Sequence, residues 1–321
     1  VFFQDTIAIE ILGGSIPGSL AVLAGALVLD LLIGEPPEIL HPVVWIGKVI
    51  GKTREFFEGG QRARPAGVVV AILIPVVSGT LTYLLVAFGS YFWELAGPIL
   101  GILLLKSTIS VKSLLDTVKS VGEQIESDPD GAREGLLALV GRDRSELSEG
   151  EMRSAAIESL FENLVDSVIA PLLYFALGGI FGYGVGVALA LFYKSVNTLD
   201  SMLGYRTEAL RDYGYLSARL DDFLNWLPAR ISVPFVALAA FSLRAVSISV
   251  RDWKEPPSPN SGWPMGAAAG GLGVKLVKQG VYTIGGEYEL PGAEDLRAAV
   301  GLAIRSIDLF LFVLISLFLL L

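Results

Sequence analysis

The sequence predicts an all-α fold: a polytopic transmembrane helical bundle with cytoplasmic helical and loop inserts. Three observations predict it. Hydrophobic residues make up 53% of the chain and charged residues 18%, with a mean hydropathy of +0.61, whereas a soluble domain carries about 25% charge. Apolar runs of bilayer length, roughly 20 residues, recur along the chain. Glycine, at 36 of 321 residues, exceeds its usual ~7%, as expected where helices approach closely in lipid.

The elements follow in order, and one membrane-embedded domain over 1–321 is expected. Residues 12–33, LGGSIPGSLAVLAGALVLDLLI, form the first span, with Asp30 near its end. The preceding segment lacks Lys and Arg; a secretory signal begins with a basic region, so a retained span is expected. Residues 67–93 and 99–118 supply the second and third spans, the latter turning amphipathic after ILGILLLKSTISV. Residues 163–193 are broken by Pro171 and by the glycines between Gly178 and Gly186, which predicts one long broken helix or a re-entrant hairpin of two short helices. Residues 231–250 form a marginal span because they contain Pro234 and Arg244. The final span is 301–321, with Asp308 inside it. Residues 253–265, WKEPPSPNSGWPM, read as a loop.

Charge sets orientation and excludes several functions. Loop 34–66 holds Lys48, Lys52, Arg54, Arg62 and Arg64, and the positive-inside rule places it in the cytoplasm. The turn at 94–98 then lies outside and 119–160 inside. A net charge of −9 excludes a nucleic-acid partner, which needs a basic stripe. With no Cys and His41 as the one His, disulfides, Cys-ligated zinc, thiol catalysis and multi-His metal sites are excluded.

Polar chemistry gathers in four places. The first is DLLIGEPPEILHPVVWIGK, where Asp30 ends a span, Gly34–Pro37 turn the chain and His41 follows; taken by itself it reads first as an interfacial turn that ends the span. Gly47–Thr53 imitates a phosphate loop, but it is one residue short and follows a helix instead of a strand, so it is rejected. The second is ESLFENLVDSVIAP, where Glu158, Glu162 and Asp166 recur every four residues beside Asn163. On a helix they share one acidic face, which is either solvated or neutralised by a cation or basic partner. The third, from Lys194 to Arg230, is the densest, with Asn197, Asp200, Arg219, Asp221, Asp222 and Asn225. A helix over 215–227 sets Leu216, Leu220, Phe223, Leu224 and Leu227 on its apolar face and Asp221 with Asn225 opposite. Adjacent carboxylates and amide oxygens suit Mg²⁺ beside phosphate oxygens, and Arg219 and Arg230 suit the phosphates. Ordinary ion pairs within the helix are the alternative. The fourth, SPNSGWPMGAAAGGLGV, joins a rigid turn to a Gly/Ala-rich helix that permits tight packing or backbone approach to a ligand.

From Asp30 to Tyr282 the chain resembles the adenosylcobinamide-phosphate synthase family of cobalamin biosynthesis. The resemblance rests on ESLFENLVDSVIAP (158–171), VNTLDSMLGYR (196–206), ARLDDFLNWLPAR (218–230) and SPNSGWPM (258–265), in the family's order and spacing. Two positions depart: Glu35 follows Gly34 where the family has Asp, and Tyr213 stands where Phe is frequent. Neither removes a charge type or an aromatic ring.

The resemblance implies a membrane ligase that joins adenosylcobyric acid to (R)-1-aminopropan-2-ol O-phosphate, consuming ATP with Mg²⁺ and producing adenosylcobinamide phosphate. It implies catalytic roles for Glu158, Glu162, Asp166, Asp200, Asp221 and Asp222, with Glu162, Asp166, Asp221 and Asp222 as metal ligands. Asp30, His41, Arg142, Asn163, Lys194, Asn197, Arg219, Asn225, Arg230 and Asn260 are implied in binding substrate or phosphate. The partners expected are the two substrates and the lipid bilayer, with room for a homo-oligomer or association with other membrane cobalamin enzymes. The alternative reading is a membrane transporter or a scaffold for corrinoid-pathway enzymes. A transporter predicts mid-span charges and repeat symmetry, whereas here the charge gathers at span ends and in loops.

Overall fold

Helices dominate because apolar runs in lipid must satisfy their backbone polar groups internally. The computed structural model describes residues 16–57, 63–136, 147–204, 207 and 210–321. In chain order it contains α1 (Ile16–Ile33), a 3₁₀ turn (Glu38–Leu40), α2 (Pro42–Phe57), α3 (Ala63–Phe92), α4 (Ala96–Lys106), α5 (Val111–Ser127), α6 (Pro129–Gly135) and α7 (Glu149–Leu164). A π-helical turn (Val165–Ile169) leads to α8 (Ala170–Gly179), α9 (Tyr183–Leu203), α10 (Tyr215–Leu224), α11 (Trp226–Ala240), α12 (Leu243–Asp252) and α13 (Gly262–Leu272). Strands β1 (Leu276–Lys278) and β2 (Tyr282–Ile284) precede α14 (Ala293–Leu320).

Five helical runs among the described residues are long and apolar enough to cross a membrane: Ile16–Ile33, Ala63–Phe92, Ala96–Ser127, Glu149–Gly179 and Ala293–Leu320; α10 and α11 qualify together as a bent pair. Only 22% of the apolar window of α3 is buried, and Val69, Ile72, Leu73, Leu81, Leu84 and Phe88 all point outward. A water-soluble monomer rarely exposes so continuous an apolar surface; lipid is the solvent that accepts it. The chain is therefore a multi-pass membrane protein.

The chain divides into two units. Unit 1 comprises the described part of Val1–Ser110, with Ala170–Leu224 and Leu314–Leu321. Its hub is α9, which packs against α2, α3, α8 and α10. Hydroxyls tie these helices together: Ser78 to Ser195 at 2.6 Å, Ser90 to Tyr183 at 3.0 Å, and Ser19 donating to the Gly179 carbonyl at 2.8 Å. Such bonds join helices where apolar surface gives no preference for protein over lipid. The core that supports the end of α9 comprises Ile50, Val70, Leu199, Leu203, Leu210 and Tyr213.

Unit 2 comprises Val111–Ile169 and Asn225–Val313. Helix α7 begins at a capping box in which the Ser148 hydroxyl accepts from the Glu151 N–H and the Glu151 carboxylate accepts from the Ser148 N–H. Helices α12 and α13 touch backbone to backbone, because a Cβ on Gly270 would stand 2.3 Å from the Arg244 carbonyl oxygen. The small residues of the fourth cluster thus serve helix packing. At the end of α12, Arg251 grips Asp252 and Glu287. Those hydrogen bonds hold the Glu287 carboxyl down at about 2.

Several local expectations change. The 163–193 stretch runs from the end of α7 through the π-helical turn into α8 without a break, and a turn at Gly182 (φ 124°) separates it from α9. The 231–250 stretch is not one helix: Phe241 takes a left-handed conformation (φ 49°) and separates α11 from α12. The loop expected over 253–265 already contains the first turn of α13. Residues 276–284 form an antiparallel hairpin, with Leu276 opposite Ile284, where no strand is expected. Gly47–Thr53 lies wholly within α2, in keeping with its rejection as a phosphate loop.

Candidate functional site

Two groups of polar side chains carry the chemistry, one in each unit. In unit 1, Lys194, Asn197 and Asp200 follow one another at intervals of three along α9, on the side that meets α10. Lys194 Nζ donates to Asn197 Oδ1 at 3.1 Å, and Asn197 Nδ2 donates to Asp221 Oδ1 at 3.3 Å. Helix α10 is inverted relative to a water-soluble helix: it buries Ser217 and Asp221, while Phe223 is 76% exposed. Its apolar face is turned outward and its acidic face inward, which suits a helix in contact with lipid. Asp221 is buried, and Asp222 is partly covered and faces Arg219 at 3.7 Å; Arg219 is exposed, so that pair contributes little to stability.

Asp200 closes this group. Burial is the main reason its carboxyl is pushed up to about 7, and the charges of Asp221 and Asp222 push it the same way. A carboxylate that titrates near neutrality is suited to taking up and releasing a proton. Gly204 makes room for it: a Cβ there would lie 2.0 Å from Asp200 Oδ1. The Asp200 carboxyl group and the end of α9 therefore share space that no larger residue leaves free.

Unit 1 also holds a second polar network. Lys106 Nζ lies 2.9 Å from Asp30 Oδ1, both side chains being almost fully buried, and 3.5 Å from Glu35 Oε2. His41 Nε2 donates to Glu35 Oε2 at 3.0 Å. Burial tends to raise the Glu35 carboxyl, but hydrogen bonds from His41 and Ser110 and the charge of Lys106 outweigh it and hold it at about 2. Asp30 and His41 thus belong to one ionic cluster that fastens the Gly34–Pro37 turn to the end of α4.

In unit 2 the three acids of the second cluster differ in exposure. Glu158 is buried and accepts from the Ser154 hydroxyl at 2.7 Å and from the Tyr282 hydroxyl. Ser154 Oγ in turn accepts from the Val277 N–H at 2.8 Å, and Gln279 donates to Glu151. Glu158 therefore holds the β-hairpin against α7. Glu162 is exposed, and Asp166 lies partly covered in the π-helical turn. Asn163 Nδ2 donates to the Ser159 carbonyl at 2.9 Å. Asn225, buried, stands at the start of α11, and Arg230 Nη1 donates to Asn260 Oδ1 at 3.3 Å. Arg142 lies outside the described residues.

Tyr282→Phe tests the hairpin anchor. Removing a donor from a buried carboxylate costs about 1.5–3 kcal/mol, so thermal unfolding in detergent is expected several degrees lower, and an unchanged midpoint refutes the anchor.

Among the described residues no three His, Cys, Asp or Glu side chains come together as a ready-made metal cage. Mg²⁺ does not require one: it is generally held by one or two carboxylates plus substrate phosphates. The Asp221 and Asp222 pair in unit 1 fits that pattern. Sequence reasoning missed Lys106 and Tyr282. The signal for Lys106 was its isolation at the end of the apolar run ILGILLLK; for Tyr282 it was the alternation in LVKQGVYTI around Gly280.

A sequence profile of the CobD/Cbib protein family matches residues 23–306. The chain belongs to this family. A probable cobalamin biosynthesis protein CobD of Methanothrix thermoacetophila is 42% identical over 302 residues, covering 90% of this chain and 93% of the relative. One from Methanothermobacter thermautotrophicus is 40% identical over 295 residues, covering 90% and 95%. The cobalamin biosynthesis protein CobD of Geobacter metallireducens is 40% identical over 270 residues, covering 82% of each chain. No solved structure matches. Family membership agrees with the resemblance carried by the four motifs, and it places the chain in cobalamin biosynthesis.

Proposed function

We propose that the chain is an ATP-dependent ligase that joins adenosylcobyric acid to (R)-1-aminopropan-2-ol O-phosphate through an amide, giving adenosylcobinamide phosphate. The observation that carries this reading is the unit 1 group: Lys194, Asn197, Asp200, Asp221 and Asp222 converge between α9 and α10 in a chain of the cobalamin-biosynthesis family.

A carboxylate and an ammonium do not condense in water without activation. The substrate carboxylate oxygen attacks the γ-phosphorus of ATP, ADP leaves, and an acyl phosphate forms. The ammonium of the second substrate gives a proton to Asp200. The free amine then forms the C–N bond at the acyl carbon, and inorganic phosphate leaves with the C–O bonding pair and takes up the second N–H proton. Lys194 and Arg219 supply positive charge for phosphate oxygens, and Asn197 fixes the direction of Asp221. Bound Mg²⁺ would neutralise phosphate charge, with Asp221 and Asp222 the unit 1 candidates to hold it and Glu162 and Asp166 those of unit 2. Phosphoryl transfer needs mainly positioning and charge neutralisation, and a site without Cys and with one His in the whole chain suits it. The polar loops face the cytoplasm in this reading, where ATP is supplied.

Purified protein in detergent, given adenosylcobyric acid, aminopropanol phosphate and Mg-ATP, is expected to form the amide with one ADP and one phosphate released per turnover. Well-folded protein that forms no amide would return the chain to the transporter or scaffold reading.

A further inference from the structure

One cation in unit 2 is held in a fixed pose with part of its hydrogen-bonding capacity unspent. Arg230 lies in the first turns of α11, where the helix dipole disfavours positive charge. Its Cζ sits 4.5 Å from the centre of the Trp226 ring and 4.8 Å from that of Trp263. Trp263 stacks in turn on Trp253, ring centres 5.4 Å apart. Nη1 donates to the Trp226 carbonyl at 2.7 Å and to Asn260 Oδ1 at 3.3 Å. These contacts commit one nitrogen and leave Nε and Nη2, the side edge of the guanidinium, with no partner among the described residues. Arg133, Arg153, Arg219, Arg251 and Arg297 each face a carboxylate; Arg230 faces none among the described residues. The indole N–H of Trp263 is buried and also lacks an acceptor there. The cluster is thus rich in donors and short of acceptors.

We propose that Arg230, framed by Trp226 and Trp263 and turned by Asn260, is a preformed receptor for a phosphate-type oxyanion, gripped by Nε and Nη2. Two parallel N–H groups match two oxygens of a phosphate. The aromatic walls fix the guanidinium beforehand, so little side-chain freedom is lost when the anion arrives. This deepens the ligase reading and rests on it for the source of the group, since both of its phosphorylated substrates are soluble; a lipid headgroup carries the same chemistry.

Three of the five tryptophans lie in this cluster, so intrinsic fluorescence reports on it. The full chain in detergent is titrated with inorganic phosphate against chloride at constant ionic strength. A saturable change with phosphate alone is expected. Binding should weaken by at least about tenfold in Arg230→Lys, which keeps the charge but loses the fork, and several-fold in Trp226→Phe, with circular dichroism unchanged in both. No saturable response in folded wild-type protein, an unaltered affinity in Arg230→Lys, or equal binding of acetate overturns the receptor. Repeating the titration in phosphatidylglycerol and phosphatidylcholine nanodiscs separates the sources. Loss of the response only in phosphatidylglycerol assigns the receptor to a headgroup and overturns the soluble source, whereas its persistence in both supports a soluble phosphate ester. Phosphate binding without ligation sinks the ligase reading alone; ligation without phosphate binding sinks the receptor alone.

Discussion

Replacing Asp200 with Asn is expected to lower turnover by about 10²–10⁴-fold, the range associated with a positioned proton acceptor, while the KM values for both substrates change little. The expectation follows from the place of Asp200 beside Asp221 and Asp222. Burial and those two charges push its carboxyl up to about 7, so it exchanges a proton near neutral pH. In wild-type protein assayed with Mg-ATP, kcat/KM is expected to rise with pH as the Asp200 carboxyl ionises, because the ionised form accepts the proton. Asp221→Asn removes one of the charges that raise Asp200, so the midpoint should move to lower pH. A divalent cation favours the ionised carboxylates and should move it the same way. Stability runs in the opposite direction. The folded protein holds this proton up to about 7 and the unfolded chain only to 3.8, so the contribution of Asp200 to stability is fully present below 3.8 and is lost as pH rises through about 7. Asp200→Asn carries no charge to desolvate and should unfold at a higher temperature than wild type at pH 8. A slower but more stable variant is the signature of a residue strained for function. Wild-type turnover in Asp200→Asn, measured in protein with an unaltered circular dichroism spectrum, would sink the assignment.

What the sequence discloses about this fold depends on how local the cause is. The spans are readable because twenty consecutive apolar residues have few alternatives. Lys194, Asn197 and Asp200 are readable as a group because helical spacing brings them onto one side. The inward turn of Asp221 is half readable: spacing separates it from Leu220 and Phe223, but which side meets protein depends on lipid outside the helix. Glu158 shows where local reasoning stops. Its spacing to Glu162 and Asp166 suggests one acidic surface, but spacing gives no sign of its partner Tyr282, 124 residues away. The break at Phe241 is likewise hidden, because a left-handed non-glycine residue leaves no compositional mark.

Lys106→Met should cost about 3–5 kcal/mol of stability, the usual effect of removing one partner from a buried pair. Lys106 and Asp30 are 4% and 0% exposed in their side chains and 2.9 Å apart. Methionine fills a similar volume, so the loss comes from charge and not from a cavity. It leaves the Asp30 carboxylate without its ammonium in a region that water does not reach, and it deprives Glu35 of a charge that keeps it ionised. The pair also closes a span end. Asp30 lies in the last turn of α1 and Lys106 ends α4, so the bridge fixes where the Gly34–Pro37 turn leaves the membrane. Asp30→Leu should destabilise by less, because the Lys106 ammonium still has Glu35 at 3.5 Å. The double variant, with neither charge, should recover a large part of the loss, because an ion pair replaced by apolar residues of similar size is often neutral in stability. Denaturant unfolding in detergent across the four proteins gives the coupling between the sites. If the single losses simply add, Lys106 and Asp30 act independently and the bridge is not what holds the turn. If the double variant is the more stable, the bridge is confirmed as a local and specific fastening, dispensable only when both charges go.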